Sequence, residues 1–192
     1  MQKIINENLS ITTIDLKKKI EETELRKKIE KFENFLKYFD DNPQFFLALA
    51  HLKLKIQDID GALYYLNEAC KIFPKEELIY DIRAKVLYKL KNYNGALMNL
   101  NQAIEINPEN ELYYSRRGDA LFSLNIYSKA IEDYSKEIEI NNSKDIYFFN
   151  RGLAKGCLKD YHNAIIDFEK TLELNPQKKK AEKVIAYLKK LI

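Results

Sequence analysis

The side chains best suited to chemistry in this sequence are two histidines and two cysteines, and their spacing favours no reaction. His51 and His162 lie far apart in the chain, and Cys70 and Cys157 match neither a metal-binding nor a redox spacing. No glycine-rich phosphate loop and no pairing of a nucleophile with a base can be found. We therefore predict no catalytic residue, no metal site and no cofactor, and we expect a protein that is not an enzyme.

Three arginines that recur at one interval could bind an anion, but their surroundings favour another role. They are Arg83, Arg117 and Arg151. Asp133 and Asp167 follow the second and third of them at the same offset of sixteen residues, and Asn99 follows the first. We predict ion pairs between neighbouring helices, with an amide in place of the carboxylate in the first case.

An interval of 34 residues organises most of the chain. Small residues recur at two positions of this interval, namely Ala50, Ala84, Gly118 and Gly152, and Ala62, Ala96, Ala130 and Ala164. Within each half of the interval, apolar residues fall three or four apart, which is the pattern of one helical face. A period of this length indicates stacked pairs of antiparallel helices, in which each pair packs only on its neighbours.

Counting from residue 43 divides the chain into an N-terminal extension (1–42), four units (43–76, 77–110, 111–144 and 145–178) and a basic C-terminal capping helix (179–192). Each unit is expected to hold two helices of about 12–15 residues, and no strand is expected. Position eighteen of the unit holds Asp60, Asn94, Ser128 and His162. Because three of these four cap helices well, the second helix should begin there. Positions fourteen, seventeen, twenty-four and thirty are expected to fill the apolar seam, and they include Leu90, Leu158, Tyr93, Leu100, Phe168, Ile72 and Leu174.

Both flanks are expected to be helical. Residues 14–39 should form a long amphipathic helix on the first unit, with residues 1–10 frayed. Its apolar stripe consists of Leu25, Ile29, Phe32, Leu36 and Phe39. The final helix has an apolar face formed by Ala181, Val184, Ile185, Leu188 and Leu191.

The third and fourth units resemble the tetratricopeptide repeat (TPR) family. The residues that carry the resemblance are Tyr114, Arg117, Gly118, Tyr127, Ala130, Asp133 and Tyr134, with their counterparts 34 residues later, and the closing Asn175 and Pro176. The resemblance covers residues 43–178 and implies an all-α, right-handed superhelical solenoid of antiparallel helix pairs.

The resemblance also implies a concave groove lined by the first helix of each pair. Carried over position by position, the candidate groove residues are His51, Lys55, Asp81, Lys85, Lys89, Arg116, Asp119, Phe122, Phe149, Asn150 and Leu153. The groove is expected to be basic toward its N-terminal end and partly apolar toward its C-terminal end. The residue set by which some members hold a chaperone's C-terminal carboxylate is absent from the matching positions, so we do not expect that ligand.

Composition and charge leave three functions open. The net charge of +3 implies no polyanion partner by itself, although the last 18 residues hold six lysines and one glutamate. We predict a noncatalytic scaffold or interaction module that binds an extended peptide or a helix of another protein. The alternatives are a scaffold that self-assembles into a homo-oligomer through its terminal helices, and a polyanion-binding protein that uses its lysine-rich tail. Nucleic acid and membrane are not expected partners, and we predict a cytoplasmic protein, leaving open a trimmed secretion or lipoprotein signal.

Overall fold

The computed structural model describes the backbone of residues 2–192 and the side chains of residues 17–192. Contacts within the chain divide it into an N-terminal unit, residues 1–74, and a C-terminal unit, residues 75–192. The described residues contain helices and turns but no strand, as expected. No described helix combines the length and the apolar character needed to span a bilayer.

The N-terminal unit consists of three helices, α1 (Gln2–Leu36), α2 (Pro43–Lys55) and α3 (Ile59–Ile72). Helix α1 packs on α2 through Phe35, whose ring is stacked on that of Phe45 with centroids 6.4 Å apart. It reaches α3 through Glu33, which accepts a hydrogen bond of 2.8 Å from the Tyr65 hydroxyl. Burial is the main reason why the pKa of Tyr65 is raised, and the Glu33 carboxylate adds to the effect.

The predicted bounds of the first helix, 14–39, were wrong at both ends. Helix α1 begins at Gln2 and ends at Leu36, so Phe39 lies beyond it and its side chain is 52% exposed. The chain must turn before Pro43, because proline has no N–H to donate and is favoured in the first turn of a helix, as here in α2. The expected fraying of residues 1–10 stays a prediction, because Met1 and the side chains of these residues lie outside the described part of the chain.

The C-terminal unit consists of three helix pairs and one further helix. The helices are α4 (Glu77–Lys89), α5 (Tyr93–Ile106), α6 (Glu111–Ser123), α7 (Tyr127–Ile140), α8 (Asp145–Cys157), α9 (Tyr161–Leu174) and α10 (Lys179–Leu188). Small residues lie where the two helices of a pair cross, and Ala84, Ala96, Ala130 and Ala164 are all at most 1% exposed. At Gly118 an added Cβ would come within 2.7 Å of the Tyr134 ring, so only glycine permits this approach.

The predicted N-caps of the second helices, at position eighteen, were two residues too late. These helices begin at position seventeen, and their N-caps are at position sixteen. In two of them the cap side chain accepts a hydrogen bond of 2.9 Å, from Gly61 N to Asp58 and from Gly95 N to Asn92. The residue before each cap has a left-handed φ of 60–63°, at Gln57, Lys91, Asn125 and Lys159. This conformation closes the first helix and fixes where the second can start.

The apolar residues at positions fourteen and thirty fill the seam less completely than expected. Leu90 and Leu158 are 49% and 47% exposed, and Ile72 and Leu174 are 47% and 37% exposed. They lie at the C-terminal ends of helices or at the cap just beyond them, where few other side chains can cover them.

We predict that replacing Ala130 with leucine lowers the free energy of unfolding by about 1–3 kcal/mol, because the larger side chain overpacks a filled site. Ala130 is fully buried and lies in a cluster with Leu121, Tyr134 and Ala154. The neighbouring Lys129 is exposed, so Lys129→Leu is the matched control and should unfold like the wild type. Urea unfolding of both variants measures the difference, and equal midpoints would contradict the assigned faces.

Candidate functional site

The predicted groove residues of the C-terminal unit fall on its first helices, α4, α6 and α8. We call the surface formed by these helices together with α10 the first-helix face. A pocket of about 150 Å³ opens on it between α4 and α6, the α4–α6 pocket. It is lined by Ala84, Lys85, Tyr88, Lys89, Leu100, Arg116 and Asp119. Four of the predicted residues therefore come together.

The expected positive charge is largely compensated inside this site. Asp81 on α4 is only 2% exposed. It accepts a hydrogen bond of 2.6 Å from Arg116 on α6, and the Lys85 ammonium lies 2.8 Å from its other carboxylate oxygen. Lys89 is exposed, and it makes no ion pair with any described side chain. Lys89 is therefore the better-placed lysine of this pocket to attract an acidic ligand, since Lys85 already neutralises a buried carboxylate.

The opposite wall of the α4–α6 pocket is held by a hydrogen bond between helices. The Tyr134 hydroxyl on α7 donates to the Asp119 carboxylate across 2.8 Å. Burial raises the pKa of Asp119 above its usual range, and the bond from Tyr134 opposes this shift. Asp119 is thereby positioned as a fixed acceptor on the pocket wall.

A second pocket, of about 340 Å³, lies between α8 and α10, and we call it the α8–α10 pocket. It is lined by Gly152, Leu153, Gly156, Cys157, Tyr161, Phe168, Val184, Tyr187, Leu188 and Leu191. In the 34-residue interval, its α8 residues Gly152, Leu153, Gly156 and Cys157 correspond to Ala84, Lys85, Tyr88 and Lys89 of the first pocket. The two pockets are therefore the same site repeated two helix pairs apart, with charged residues in the lining of the first and none in the lining of the second.

Of the remaining predicted groove residues, some line a pocket and others pack against aromatic side chains of the neighbouring helix. Leu153 lines the α8–α10 pocket, as its predicted apolar character requires. Phe149 instead packs edge-on against Phe168, with ring centroids 5.4 Å apart, and the Lys178 ammonium lies 5.2 Å from its centroid. Phe122 packs on Tyr127, and Asn150 is half-buried on α8. Phe149 and Leu153 both pack against the cluster that contains Phe168, and their role as one apolar pair of the groove stays a prediction.

His51 and Lys55 belong to the N-terminal unit, where both are exposed on α2. Lys55 lines a polar depression together with Lys18, Glu21, Glu22, Leu25, Ile56 and Gln57. The predicted convergence of these two residues with Lys85 and Lys89 stays a prediction.

Sequence reasoning missed Tyr88, Gly156 and the contribution of α10. The sequence could have identified Tyr88 and Gly156, because they occupy position twelve of the unit together with Leu54 and with Phe122, which was assigned to the groove. Tyr187 and Leu191 could not be found in this way, since the 34-residue interval ends before them.

The arginines that recur along the array make the contacts expected of them. Arg117 donates two hydrogen bonds to Asp133, at 2.8 and 2.7 Å, and Arg151 donates two to Asp167, at 3.0 and 2.7 Å. Arg83 donates to the amide oxygen of Asn99 at 2.6 Å. These bonds tie the two helices of each pair together, so the arginines are positioned for structure.

The histidines and cysteines singled out in the sequence lie on four different helices, α2, α3, α8 and α9. No three His, Cys, Asp or Glu side chains lie close enough to hold a metal ion among these residues. His162 is exposed on α9, Cys70 is half-buried on α3 and Cys157 is exposed at the end of α8.

Comparisons with known proteins identify the type of repeat. A family model described as a TPR repeat matches residues 84–125, and another described as a tetratricopeptide repeat matches residues 147–178. No curated protein matches the chain significantly.

Solved structures share this fold. The TPR domain of Arabidopsis OM64 is 30% identical, with a TM-score of 0.58 over 60% of this chain and 96% of that one. The crystal structure of MamA is 24% identical, with a TM-score of 0.74 over 85% of this chain and 95% of that one. YrrB, described as a TPR protein with an unusual peptide-binding site, is 16% identical, with a TM-score of 0.73 over 88% of this chain and 84% of that one. The similarities to MamA and YrrB, at 24% and 16% identity, are similarities of fold alone.

Proposed function

Because the chain belongs to the tetratricopeptide repeat family, we propose that this protein–protein interaction module is noncatalytic and binds a peptide segment of its partner on the first-helix face. The observation that carries the proposal is the recurrence of one site at two places on that face. A ligand that lies along the face would meet a pocket lined in part by charged residues first and a pocket lined by uncharged residues two helix pairs later. The peptide-binding site named for YrrB supports the same class of ligand.

The charged residues that line the α4–α6 pocket favour a segment that carries acidic residues. Tyr88 offers an exposed ring and a hydroxyl, which lies 3.0 Å from the Ser123 hydroxyl, and Lys89 offers a charge that no described carboxylate neutralises. Charges at the rim of an interface mainly change the rate of association and its dependence on salt. The affinity itself is expected to come from apolar anchors, as in other interfaces.

We predict that Lys89→Glu lowers the affinity for acidic peptides selected against the wild-type protein by about tenfold, as expected for reversing one interface charge at low salt. The peptides come from a displayed random library, and fluorescence anisotropy measures their binding at two salt concentrations. Lys89 is preferred over Lys85 because Lys85→Glu would place a carboxylate beside the buried Asp81.

Lys129→Glu on the exposed face of α7 is the matched control, since it makes the same charge change away from both pockets. Selected peptides that bind wild type, Lys89→Glu and Lys129→Glu equally would place the ligand elsewhere and contradict the proposal.

A second candidate function, self-assembly through the terminal helices, has its own support. The end of α1 and the turn after it expose Phe35, Tyr38 and Phe39, which line an open depression with Lys27, Glu30, Lys31 and Asn34. Light scattering at two protein concentrations tests for association, and the double variant Tyr38→Ser with Phe39→Ser should abolish it if these rings carry the contact. Binding of polyanions by the tail has less support, because Lys178 and Lys189 already pair with Asp145 and Glu169.

A further inference from the structure

One aromatic contact recurs along the C-terminal unit and is missing from its last helix pair. In the first pair the rings of Tyr88 and Tyr93 meet edge-on with centroids 5.2 Å apart, and in the second pair Phe122 and Tyr127 do the same at 5.2 Å. In the last pair Tyr161 keeps the second position, but Gly156 replaces the first ring. A Cβ added at Gly156 would meet nothing within 4 Å.

The α8–α10 pocket, at about 340 Å³, includes the space that this missing ring leaves open, whereas the equivalent α4–α6 pocket, where Tyr88 supplies the ring, holds about 150 Å³. Gly156 and Tyr161 both line it, together with the buried Phe168 and Leu188. Tyr187 and Leu191 form its exposed edge, at 62% and 46% exposure. Its volume of about 340 Å³ lies within the usual range for sites that bind a ligand group.

Two lysines lie near Tyr187, the exposed residue at the edge of this pocket, in the sequence. Lys183 lies one helical turn before Tyr187 on α10, so the two extend from one side of that helix, and Lys190 follows in the turn after the helix. Both lysines are exposed, and neither forms an ion pair with a described side chain. An apolar pocket with such an edge matches an aromatic side chain flanked by carboxylates, rather than an aliphatic or basic segment.

We infer that the α8–α10 pocket binds the ring of a phenylalanine from an acidic segment of the partner protein. The ring takes the place that Tyr88 and Phe122 occupy in the preceding pairs and packs edge-on against Tyr161. The inference rests on the proposed peptide binding and adds to it the chemistry of the anchoring residue.

Two synthetic peptides test the inference with the full chain. One is a fluorescein-labelled heptapeptide with phenylalanine between two Glu-Asp-Glu segments, and the other has alanine in place of the phenylalanine. We expect the phenylalanine peptide to bind the wild type at least tenfold more tightly, as measured by fluorescence anisotropy. Equal binding of the two peptides, or no binding of either, would overturn the inference.

Two substitutions of Gly156 distinguish an effect of filling the pocket from an effect of damaging the fold. Gly156→Phe supplies the missing ring from the chain itself, so the tenfold preference for phenylalanine should disappear. Gly156→Ala has room for its methyl group and leaves the pocket open, so the preference should stay. The melting temperature of Gly156→Phe should equal or exceed that of the wild type. Retention of the preference in a folded Gly156→Phe variant contradicts the inference.

Tyr187→Asp keeps the test decisive if Gly156→Phe does not fold. Tyr187 is mostly exposed, so the change is expected to leave the fold intact while a carboxylate at the pocket edge repels both the ring and its acidic flanks. Loss of the preference supports the inference, and an unchanged preference overturns it.

Sedimentation velocity tests whether a second copy of the chain occupies the pocket instead. A wild-type dimer that Tyr187→Asp abolishes would assign the pocket to a second copy and would also overturn the inference. If the preference is absent but Lys89→Glu still weakens the peptides selected from the library, the proposed function survives and the pocket assignment fails.

Discussion

The variant Glu137→Gln is expected to be more stable than the wild type by several kcal/mol above pH 8, and to lose that advantage as the pH falls toward 4. Glu137 on α7 is fully buried, and neither of its carboxylate oxygens has a hydrogen-bond partner. Burial raises its pKa from 4.5 to about 8. The Ser115 hydroxyl opposes the shift, the carboxylates of Asp119 and Glu111 raise the pKa further, and the Lys144 ammonium lowers it slightly.

The sign of the effect follows from proton binding. Between pH 4.5 and 8 the unfolded chain releases the proton of Glu137 while the folded chain retains it, so wild-type stability falls as the pH rises. A difference of this size between the two pKa values corresponds to at most about 5 kcal/mol. Glutamine does not titrate, so the stability difference between variant and wild type should grow across this window and then level off.

The measurement is urea unfolding at a series of pH values from 4 to 9. Glu139→Gln is the matched control, because Glu139 lies two residues further along α7 with its side chain 65% exposed, and its removal should leave the pH profile unchanged. Glu137→Ala is a second variant that the fold should tolerate, since the equivalent residues Ala69 and Ala103 are fully buried alanines. Parallel profiles for wild type and Glu137→Gln would refute a protonated buried carboxyl.

The variant Asp167→Ala should lose about 3–5 kcal/mol of stability, as expected when one partner of a buried ion pair is removed. Asp167 on α9 is 2% exposed. It accepts two hydrogen bonds from Arg151, and the Lys155 ammonium lies 2.8 Å from it. Alanine would leave both cations of α8 without their carboxylate.

Asp167→Asn should cost less than Asp167→Ala, because Arg83 already donates to an amide oxygen at the equivalent place in the first pair of this unit, that of Asn99. The control Glu169→Ala removes an exposed carboxylate from the same helix and should change stability by at most about 1 kcal/mol. The three variants are compared by their midpoints of urea unfolding. The free energy of unfolding is expected to fall by about 1–3 kcal/mol per molar urea, which converts the midpoints into stability differences. A midpoint for Asp167→Ala equal to that of Glu169→Ala would refute the structural role of the pair.

The helix pairs and their internal ties could be predicted from the sequence because both depend on short intervals. Apolar residues three or four apart define a helical face, and the sixteen-residue offset brings Arg117 opposite Asp133 whenever two helices lie antiparallel. The family followed from the same positions. The helix starts were less well predicted, because Asp58 and Asp60 are both good caps by type. The left-handed residue before position sixteen decides between them, and side-chain type hardly indicates it.

The sequence alone determined an all-α repeat array of the TPR family and assigned each side chain to a face of its helix. Only the tertiary structure decided which side chains oppose one another across neighbouring pairs. Arg116 reaches Asp81 from 35 residues further along the chain and removes charge that the sequence assigned to the groove. Glu137 is buried, although its residue type favours the surface. The missing ring at Gly156 becomes a pocket only because α10 packs beside α8 and closes it. The physical reason is that a periodic pattern specifies the direction of a side chain, whereas burial, pairing and open volume depend on the element packed against it.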